Sequence, residues 1–366
     1  MSSDTPNYVL KGLDSYSQFE LDSFWETYDH QNPHILSIGL SCSFRCNYKC
    51  RYCYAGTVKK SHPDELTVEE QLNLVTQAKK LGARTAVLCG DGDPLVDPNL
   101  TPIVKHCGKL GINIVVVTNA AILGNERLCK KNHGIGCDDL AHILNNSGAS
   151  LMIKLDSIDP QKYSEIVGVP DGFDQFSRAV ERLKTEGMFA PTFGSGTLIT
   201  RVAFTSVVMK DTMMEVPLMR KFADNLGAQY ICKLPTLTGC ALDHLDFMYP
   251  AEQYDEIRSR FSNLTAKRET LMADTPRCIA WHYGPVVDIR GEVKECYTSS
   301  CQNGRIGNVR EEPLSALLRR RNTLYDITTR DFCPVKTRIN NDLIRVGKAK
   351  LWEVCPANGS EAGKSY

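Results

Sequence analysis

Short apolar runs alternate with amphipathic stretches along the chain between residues 34 and 235. The apolar runs are almost continuous, which is typical of strands in a parallel sheet that is buried on both faces. The first amphipathic stretch starts with Thr67 and Glu70 in the spacing of a helix capping box. The predicted strands are residues 34–40, 84–89, 112–119, 150–157, 196–208 and 228–235. These β–α units in series predict an α/β fold, either a doubly wound sheet or a partial, open barrel.

The pattern changes after about residue 250. One long helical pattern covers residues 250–273, and a hairpin pattern with Gly291 at its turn follows. We therefore predict an N-terminal extension over residues 1–33, a barrel domain over 34–250 and a smaller cysteine-rich domain over 251–366. In a parallel α/β fold the functional residues lie at the carboxyl ends of the strands.

The amino-acid composition reduces the number of protein classes to which this chain could belong. The 366 residues include 43 Lys and Arg and 43 Asp and Glu, so the formal net charge is zero and nucleic acid is not an expected partner. No apolar run is long enough to span a bilayer, and the N-terminus lacks the layout of a signal peptide. A cytoplasmic protein is therefore expected. In that reducing compartment the 15 cysteines predict metal ligands or buried thiols, not disulfides.

The first cysteine group is Cys42, Cys46, Cys50 and Cys53, directly after the first predicted strand. Four thiolates would close a zinc site, but zinc usually takes its cysteines in pairs separated by a longer gap. Three thiolates would instead hold an iron–sulfur cluster and leave one iron without a protein ligand. The second arrangement is favoured, and Cys42 is then expected to be a packed thiol at the end of the strand.

The motif Cys46-x3-Cys50-x-Tyr52-Cys53 resembles the signature of the radical S-adenosylmethionine (radical SAM) superfamily. The resemblance implies a partial (βα)6 TIM barrel and a 4Fe–4S cluster bound by Cys46, Cys50 and Cys53. It also implies that the methionyl amine and carboxylate of S-adenosylmethionine chelate the free iron. Reductive cleavage would then yield a 5′-deoxyadenosyl radical, with the electron supplied by an external reductant of the flavodoxin or ferredoxin type.

A glycine-rich acidic turn follows the second predicted strand and resembles the Gly-Gly-Glu-Pro segment of the same family. Its residues are Gly90, Asp91, Gly92 and Asp93, with Asp93 in place of the glutamate. Glycines allow close backbone approach, and a carboxylate complements the methionyl ammonium. By position we also expect cofactor contacts from Tyr52, Asn119, Asp156 and Ser157, the last two toward the ribose, with Lys154 and Arg201 as weaker candidates. A helix cap or a satisfied turn residue is the alternative for each strand-end position.

The second cysteine group lies in the predicted C-terminal domain. Cys278 and Cys296, with Gly291 between them, resemble the opening of the SPASM and twitch extensions, which bind auxiliary 4Fe–4S clusters. The later cysteines are too few for two such clusters, so one auxiliary cluster is expected. Its predicted ligands are Cys278, Cys296 and Cys333, with Cys355 or Cys301 as the fourth, and a structural zinc ion is the alternative.

An auxiliary cluster would accept the electron that remains after hydrogen abstraction, and a general base would remove a proton. Tyr297, His282 and Glu292 are the predicted catalytic residues. Only about 33 residues precede the first strand, which favours a small molecule over a leader peptide. The predicted substrate is a small polyhydroxylated compound (a sugar, aminoglycoside or aminocyclitol) undergoing dehydrogenation, dehydration, epimerisation or decarboxylation. The alternatives are modification of a peptide or protein side chain and, more remotely, a non-enzymatic zinc-binding protein.

Overall fold

The computed structural model describes residues 8–13, 15–56, 63–194, 197–233, 239–247, 283–294, 297 and 306–324. The strands in these ranges are β1 Tyr8–Leu10, β2 Ser37–Leu40, β3 Thr85–Leu88, β4 Asn113–Thr118, β5 Ser150–Lys154, β6 Thr192–Gly194, β7 Thr197–Thr200, β8 Val202–Val207, β9 Gln229–Lys233, β10 Val286–Val287, β11 Glu292–Lys294 and β12 Gly307–Asn308. The helices are α1 Gln18–Glu26, α2 Val68–Lys80, α3 Leu100–Lys109, α4 Glu126–His133, α5 Cys137–Asn146, α6 Pro160–Val167, α7 Gly172–Thr185, α8 Val216–Asn225 and α9 Leu314–Leu324. The predicted capping box at Thr67 is present at the start of α2.

The main sheet has the strand order β12-β11-β10-β2-β3-β4-β5-β8-β9. Strands β2, β3, β4, β5, β8 and β9 pair in parallel, each with the next. The predicted series of β–α units is therefore confirmed, and it forms a partial barrel. The predicted hairpin is also confirmed, since β10 and β11 are antiparallel and Gly291 between them has φ +87°. Strand β10 pairs in parallel with β2, so the hairpin extends the barrel sheet beyond its first strand.

One predicted strand is wrong in its extent. Residues 196–208 contain β7, which joins a separate three-stranded sheet with β1 and β6, and β8, which belongs to the barrel. The chain turns at Arg201, whose guanidinium donates to Ala149 O at 3.1 Å and to Asn145 Oδ1 at 2.8 Å. Arg201 thus lies at the amino end of β8, and its predicted place at the carboxyl edge is wrong.

The two faces of the barrel sheet bury different sets of residues. The outer face packs against the helices through side chains such as Ile38, Ile114 and Phe204. The inner face holds a smaller core of Val115, Met152, Ala203 and Ile231 together with Leu10 of β1. No helix in the described ranges is long and apolar enough to cross a membrane.

The N-terminal segment closes the amino end of the inner face. Leu10 N donates to Gln229 Oε1 at 3.0 Å, and Gly12 O accepts from Thr85 Oγ1 at 2.7 Å. Gln229 and Thr85 are the first residues of their strands. The carboxyl edge, where the predicted site residues are concentrated, is therefore the opposite end of the barrel.

Candidate functional site

The cysteine loop, residues 41–56, leaves the carboxyl end of β2. Cys46, Cys50 and Cys53 are half-buried, whereas Cys42 is 3% exposed and packs in the outer core as predicted. Burial raises the pKa of the Cys50 thiol, and the negative charge of Asp156 and the neighbouring Cys46 and Cys53 raise it further. Among the residues that the structure describes, no group of three or more His, Cys, Asp or Glu side chains forms a site for a metal ion. Ligation by the three thiols stays a prediction.

The acidic glycine turn packs directly on the cysteine loop. A Cβ atom on Gly90, whose φ is +150°, would lie 2.0 Å from Ser41 Oγ. A Cβ atom on Gly92 would lie 2.2 Å from Arg45 O and 2.4 Å from Ser43 O. No L side chain fits at such distances without displacement of the backbone, so both glycines are required for this contact. The turn and the loop together form a cradle at the carboxyl edge.

The carboxylate of Asp93 accepts several hydrogen bonds within this cradle. It accepts from Leu95 N at 2.9 Å, from Thr118 Oγ1 at 2.7 Å and from Asn119 N at 2.7 Å, and the residue is 5% exposed. The side chain of Asp93, which is shorter than the glutamate of the family segment, thus links the turn to the end of β4. Its predicted role toward a methionyl ammonium stays a prediction, as does that of the half-buried Asp91.

A pair of amide side chains lies beside the turn. Asn119 Nδ2 donates to Asn47 Oδ1 at 2.9 Å, and Asn119 Oδ1 accepts from Ala121 N at 2.9 Å. The intervening Ala120 has φ +58°, a conformation that non-glycine residues adopt rarely. Asn47 Nδ2 is buried and has no acceptor among the described residues. An unsatisfied buried amide costs about 1–3 kcal/mol, which a polar ligand at this position would offset.

A buried ion pair lies on the other side of the cysteine loop. Tyr52 donates its phenol hydrogen to Asp156 Oδ2, and Lys154 Nζ lies 3.3 Å from Asp156 Oδ1 and 5.0 Å from the centre of the Tyr52 ring. Val207 N also donates to Asp156 Oδ1 at 2.8 Å. Burial, with the charge of Asp156 next to it, raises the pKa of Tyr52 well above its ordinary value. The aromatic residue of the cysteine motif is therefore held in place by β5 and β8.

Ser157 has the arrangement of a satisfied turn residue. Its hydroxyl donates to Glu215 Oε2 at 2.5 Å and accepts from Asp159 N at 3.0 Å, and the residue is fully buried. The other oxygen of Glu215 pairs with Lys162 Nζ at 2.6 Å. Contact between Ser157 and a ribose stays a prediction.

Two of the three predicted catalytic residues, Tyr297 and Glu292, lie in the described part of the chain. Tyr297 lies over β2 and β3, where its hydroxyl donates to Val87 O at 2.9 Å and stands 2.3 Å from the position of a Cβ atom on Gly39. Glu292 lies on β11 and accepts from Asn308 Nδ2 at 3.0 Å. His282 and the predicted auxiliary ligands lie outside the described residues, namely Cys278, Cys296, Cys301, Cys333 and Cys355.

Asn47 is a candidate site residue that the sequence reasoning missed. Its position inside the cysteine motif was the available signal, since every residue between the predicted ligands lies near them. Its partner Asn119 is 72 residues away in the chain, so the amide pair appears only in the folded protein.

Comparison with known proteins agrees with this geometry. Residues 40–211 match the model of the Radical SAM superfamily. A similar curated relative is an AdoMet-dependent heme synthase of Oleidesulfovibrio alaskensis, 24% identical over 259 residues, which are 70% of this chain and 59% of the relative. A GTP 3′,8-cyclase of Pseudomonas savastanoi is 33% identical over 134 residues, which are 36% of each protein. The chain therefore spans little more than half the length of the first relative and about a third of the second.

A solved structure extends the similarity beyond the matched domain. Streptococcus suis SuiB, bound to its precursor peptide SuiA, has a TM-score of 0.60 and 15% sequence identity, covering 88% of this chain and 74% of that chain. At this identity the similarity establishes the fold alone. The partial barrel is thus a fold that this chain shares with SuiB.

Proposed function

Since residues 40–211 form a radical SAM domain, we propose that the chain is an enzyme that cleaves S-adenosylmethionine reductively and removes a hydrogen atom from a small polyhydroxylated substrate. The observation that carries this proposal is the direct packing of the Gly90–Gly92 turn on the loop of Cys46, Cys50 and Cys53. That packing joins the two segments with which such a domain would hold its cluster and the methionyl group.

The superfamily uses a 4Fe–4S cluster together with S-adenosylmethionine. When bound, this pair supplies a reductively generated carbon radical that is able to abstract hydrogen. The donor set of the chain fits it, because three thiols lie in one half-buried loop and an unsatisfied amide lies beside them. We assign the cluster to Cys46, Cys50 and Cys53, with an external flavodoxin- or ferredoxin-type protein as the electron donor.

The remaining residues of the cradle would bind and orient the cofactor. Asn47 has an amide hydrogen to donate to a cofactor oxygen, and the pairing with Asn119 holds that amide in place. Tyr52 offers a ring face that Asp156 fixes through the phenol, and Lys154 places a positive charge next to it. A carboxylate oxygen has two lone pairs, so Asp156 retains acceptor capacity toward a ribose hydroxyl.

The substrate would enter at the carboxyl edge, because the N-terminal segment covers the amino end of the inner face. A sugar, aminoglycoside or aminocyclitol is the proposed class. We also assign one auxiliary cluster to Cys278, Cys296 and Cys333, with Cys355 or Cys301 completing it. Its role would be to accept the electron left on an oxidised product.

A peptide substrate is the second candidate function. SuiB, which shares the fold over 88% of this chain, is described in complex with a precursor peptide. A modified peptide side chain would require the same cradle and the same radical chemistry. The two candidates therefore differ in the substrate that stimulates cofactor turnover.

The first test is anaerobic reconstitution with iron and sulfide, followed by reduction in the presence of S-adenosylmethionine. We expect a brown, iron-loaded protein that releases 5′-deoxyadenosine, and we expect Cys46→Ala, Cys50→Ala and Cys53→Ala to abolish the release. Cys107→Ala is the matched control, since Cys107 is fully buried in α3 and is not part of the cysteine motif. Stoichiometric zinc without cleavage of the cofactor would contradict the proposal.

The second test identifies the substrate class. Panels of aminocyclitols, sugars and short peptides are added to the reduced enzyme, and the rate of 5′-deoxyadenosine formation is measured. Stimulation by a polyhydroxylated compound supports the first candidate. Stimulation by peptides alone would replace it with the second.

A further inference from the structure

Arg51 stands inside the cysteine motif, between Cys50 and Cys53, and its side chain reaches two distant parts of the chain. Its Nη2 lies 2.5 Å from Asp211 Oδ2, and its Cζ lies 5.5 Å from the centre of the Phe247 ring. Its Nε is buried without an acceptor among the described residues. The guanidinium is therefore held by the ion pair and the aromatic ring.

Asp211 is itself held in place on the segment after β8. Lys162 Nζ donates to Asp211 O at 3.1 Å and to Glu215 Oε1 at 2.6 Å. The carboxylate of Glu215 in turn raises the pKa of Lys162 above its ordinary value, so the ammonium stays charged. The partner of Arg51 is thus anchored to α6 and to the turn that precedes α8.

Residues 239–247, a short segment after β9, cross the Cys50–Cys53 half of the cysteine loop. We call this segment the strap. Cys240 N donates to Cys53 O at 2.8 Å. Gly239 has φ +59°, and a Cβ atom there would lie 2.4 Å from the carbonyl oxygens of Cys53 and Tyr54. Phe247, at the far end of the strap, is 2% exposed, and its carbonyl accepts from Lys210 N at 2.9 Å. The strap therefore contacts the loop through the Cys53 carbonyl and the Arg51 guanidinium.

We propose that Arg51 is a positioning residue that holds the Cys50–Cys53 half of the cysteine loop in its ligand-binding arrangement before a cluster is assembled. The inference rests on the proposed function in that Cys50 and Cys53 are taken as ligands. An irregular loop loses conformational entropy when it is ordered, and contacts made before assembly reduce that cost. A partly exposed ion pair contributes little to global stability, so its loss should increase local opening of the loop without unfolding the whole protein.

The test measures thiol accessibility in cluster-free protein. Wild type, Arg51→Gln, Asp211→Asn and the double variant are treated with iodoacetamide under anaerobic conditions, and labelling of each cysteine is followed by mass spectrometry. We expect Cys50 and Cys53 to be labelled about two- to fivefold faster in either single variant, the factor that corresponds to loss of one such ion pair. The double variant should be no faster than Arg51→Gln, because that single change already removes the ion pair with Asp211.

Two controls separate positioning from general destabilisation. Arg182→Gln breaks an ion pair of the same length, Arg182 Nε to Asp138 Oδ1 at 2.5 Å, away from the cysteine loop, and should leave Cys50 and Cys53 unchanged. Cys107, fully buried in α3, should be labelled at the wild-type rate in every variant. Arg51→Lys keeps the positive charge. Cys50 and Cys53 should therefore be labelled in this variant at a rate between those of wild type and Arg51→Gln.

Equal labelling of Cys50 and Cys53 in wild type and Arg51→Gln would overturn the inference. A parallel increase at Cys107 would also overturn it, because the change would then act on the whole fold. Neither outcome depends on a cluster or on S-adenosylmethionine, whereas the proposed function is tested by cofactor cleavage and its stimulation by substrate in the wild-type enzyme.

Discussion

The backbone N–H of Asn119 donates to Asp93 Oδ2 at 2.7 Å, which joins the end of β4 to the turn after β3. The same carboxylate accepts from the hydroxyl of Thr118 and from the backbone of Leu95. Asp93 therefore sets the relative position of two neighbouring strand ends at the carboxyl edge of the barrel. Both Asn119 and the Gly90–Gly92 turn depend on that position.

Replacing Asp93 with Ala should lower the free energy of unfolding by about 2–4 kcal/mol, because three buried donors lose a charged acceptor. Urea unfolding under anaerobic conditions measures the change. Asp93→Asn keeps one acceptor oxygen and should cost less. If Asp93→Ala proves as stable as wild type, the carboxylate does not brace the strand ends.

Gly92→Ala should weaken both the fold and the cradle, since the new methyl group would lie 2.2 Å from Arg45 O. We expect a loss of about 1–3 kcal/mol in stability and weaker binding of S-adenosylmethionine to the reconstituted protein. Gly108→Ala is the matched control. Gly108 lies in α3, where helix propensity favours Ala over Gly. The new methyl group would lie 3.5 Å from Ser147 O, which is an ordinary van der Waals contact. Comparable losses in the two variants would argue against a specific contact at Gly92.

Cys42→Ala should retain the full iron content after reconstitution. The Cys42 side chain is buried in the outer core, so the change removes only the packing contacts of its sulfur atom. We expect a modest loss of stability, about 1–2 kcal/mol, with 5′-deoxyadenosine release maintained. Iron analysis and the cleavage assay check this. Loss of iron in Cys42→Ala would restore the four-cysteine zinc site as the better explanation.

Asp97 should make stability fall as the pH rises from 4 to 7. Burial raises its pKa from 3.8 to about 7, and its Oδ2 has no partner among the described residues. Between these two pKa values the unfolded chain loses a proton that the folded chain keeps, so the free energy of unfolding decreases as the pH rises. It is constant above both pKa values, and the total change is roughly 4 kcal/mol. In Asp97→Asn this contribution disappears. Urea unfolding of both proteins at pH 5 and pH 8 tests it, and equal pH dependence in the two would contradict it.

The strands of the barrel were predictable because a parallel strand that is buried on both faces requires a run of apolar residues. The error at residues 196–208 has the same origin. Strands β7 and β8 are both apolar and are separated by Arg201 alone, so their composition does not reveal that they belong to different sheets. The pairing of β10 with β2 was equally invisible, since it joins residues far apart in the chain through backbone atoms.

The sequence by itself determined the β–α series, the hairpin turn at Gly291 and the position of Cys46, Cys50 and Cys53 in one loop after β2, because each depends on residues close together in the chain. Only the tertiary structure decided which side chains meet at the carboxyl edge. Asn47 with Asn119 and Arg51 with Asp211 are separated by 72 and 160 residues, and strand order alone brings them into contact. Hydrogen bonds and ion pairs act over a few ångströms, so their partners are set by the packing of the strands and not by local sequence.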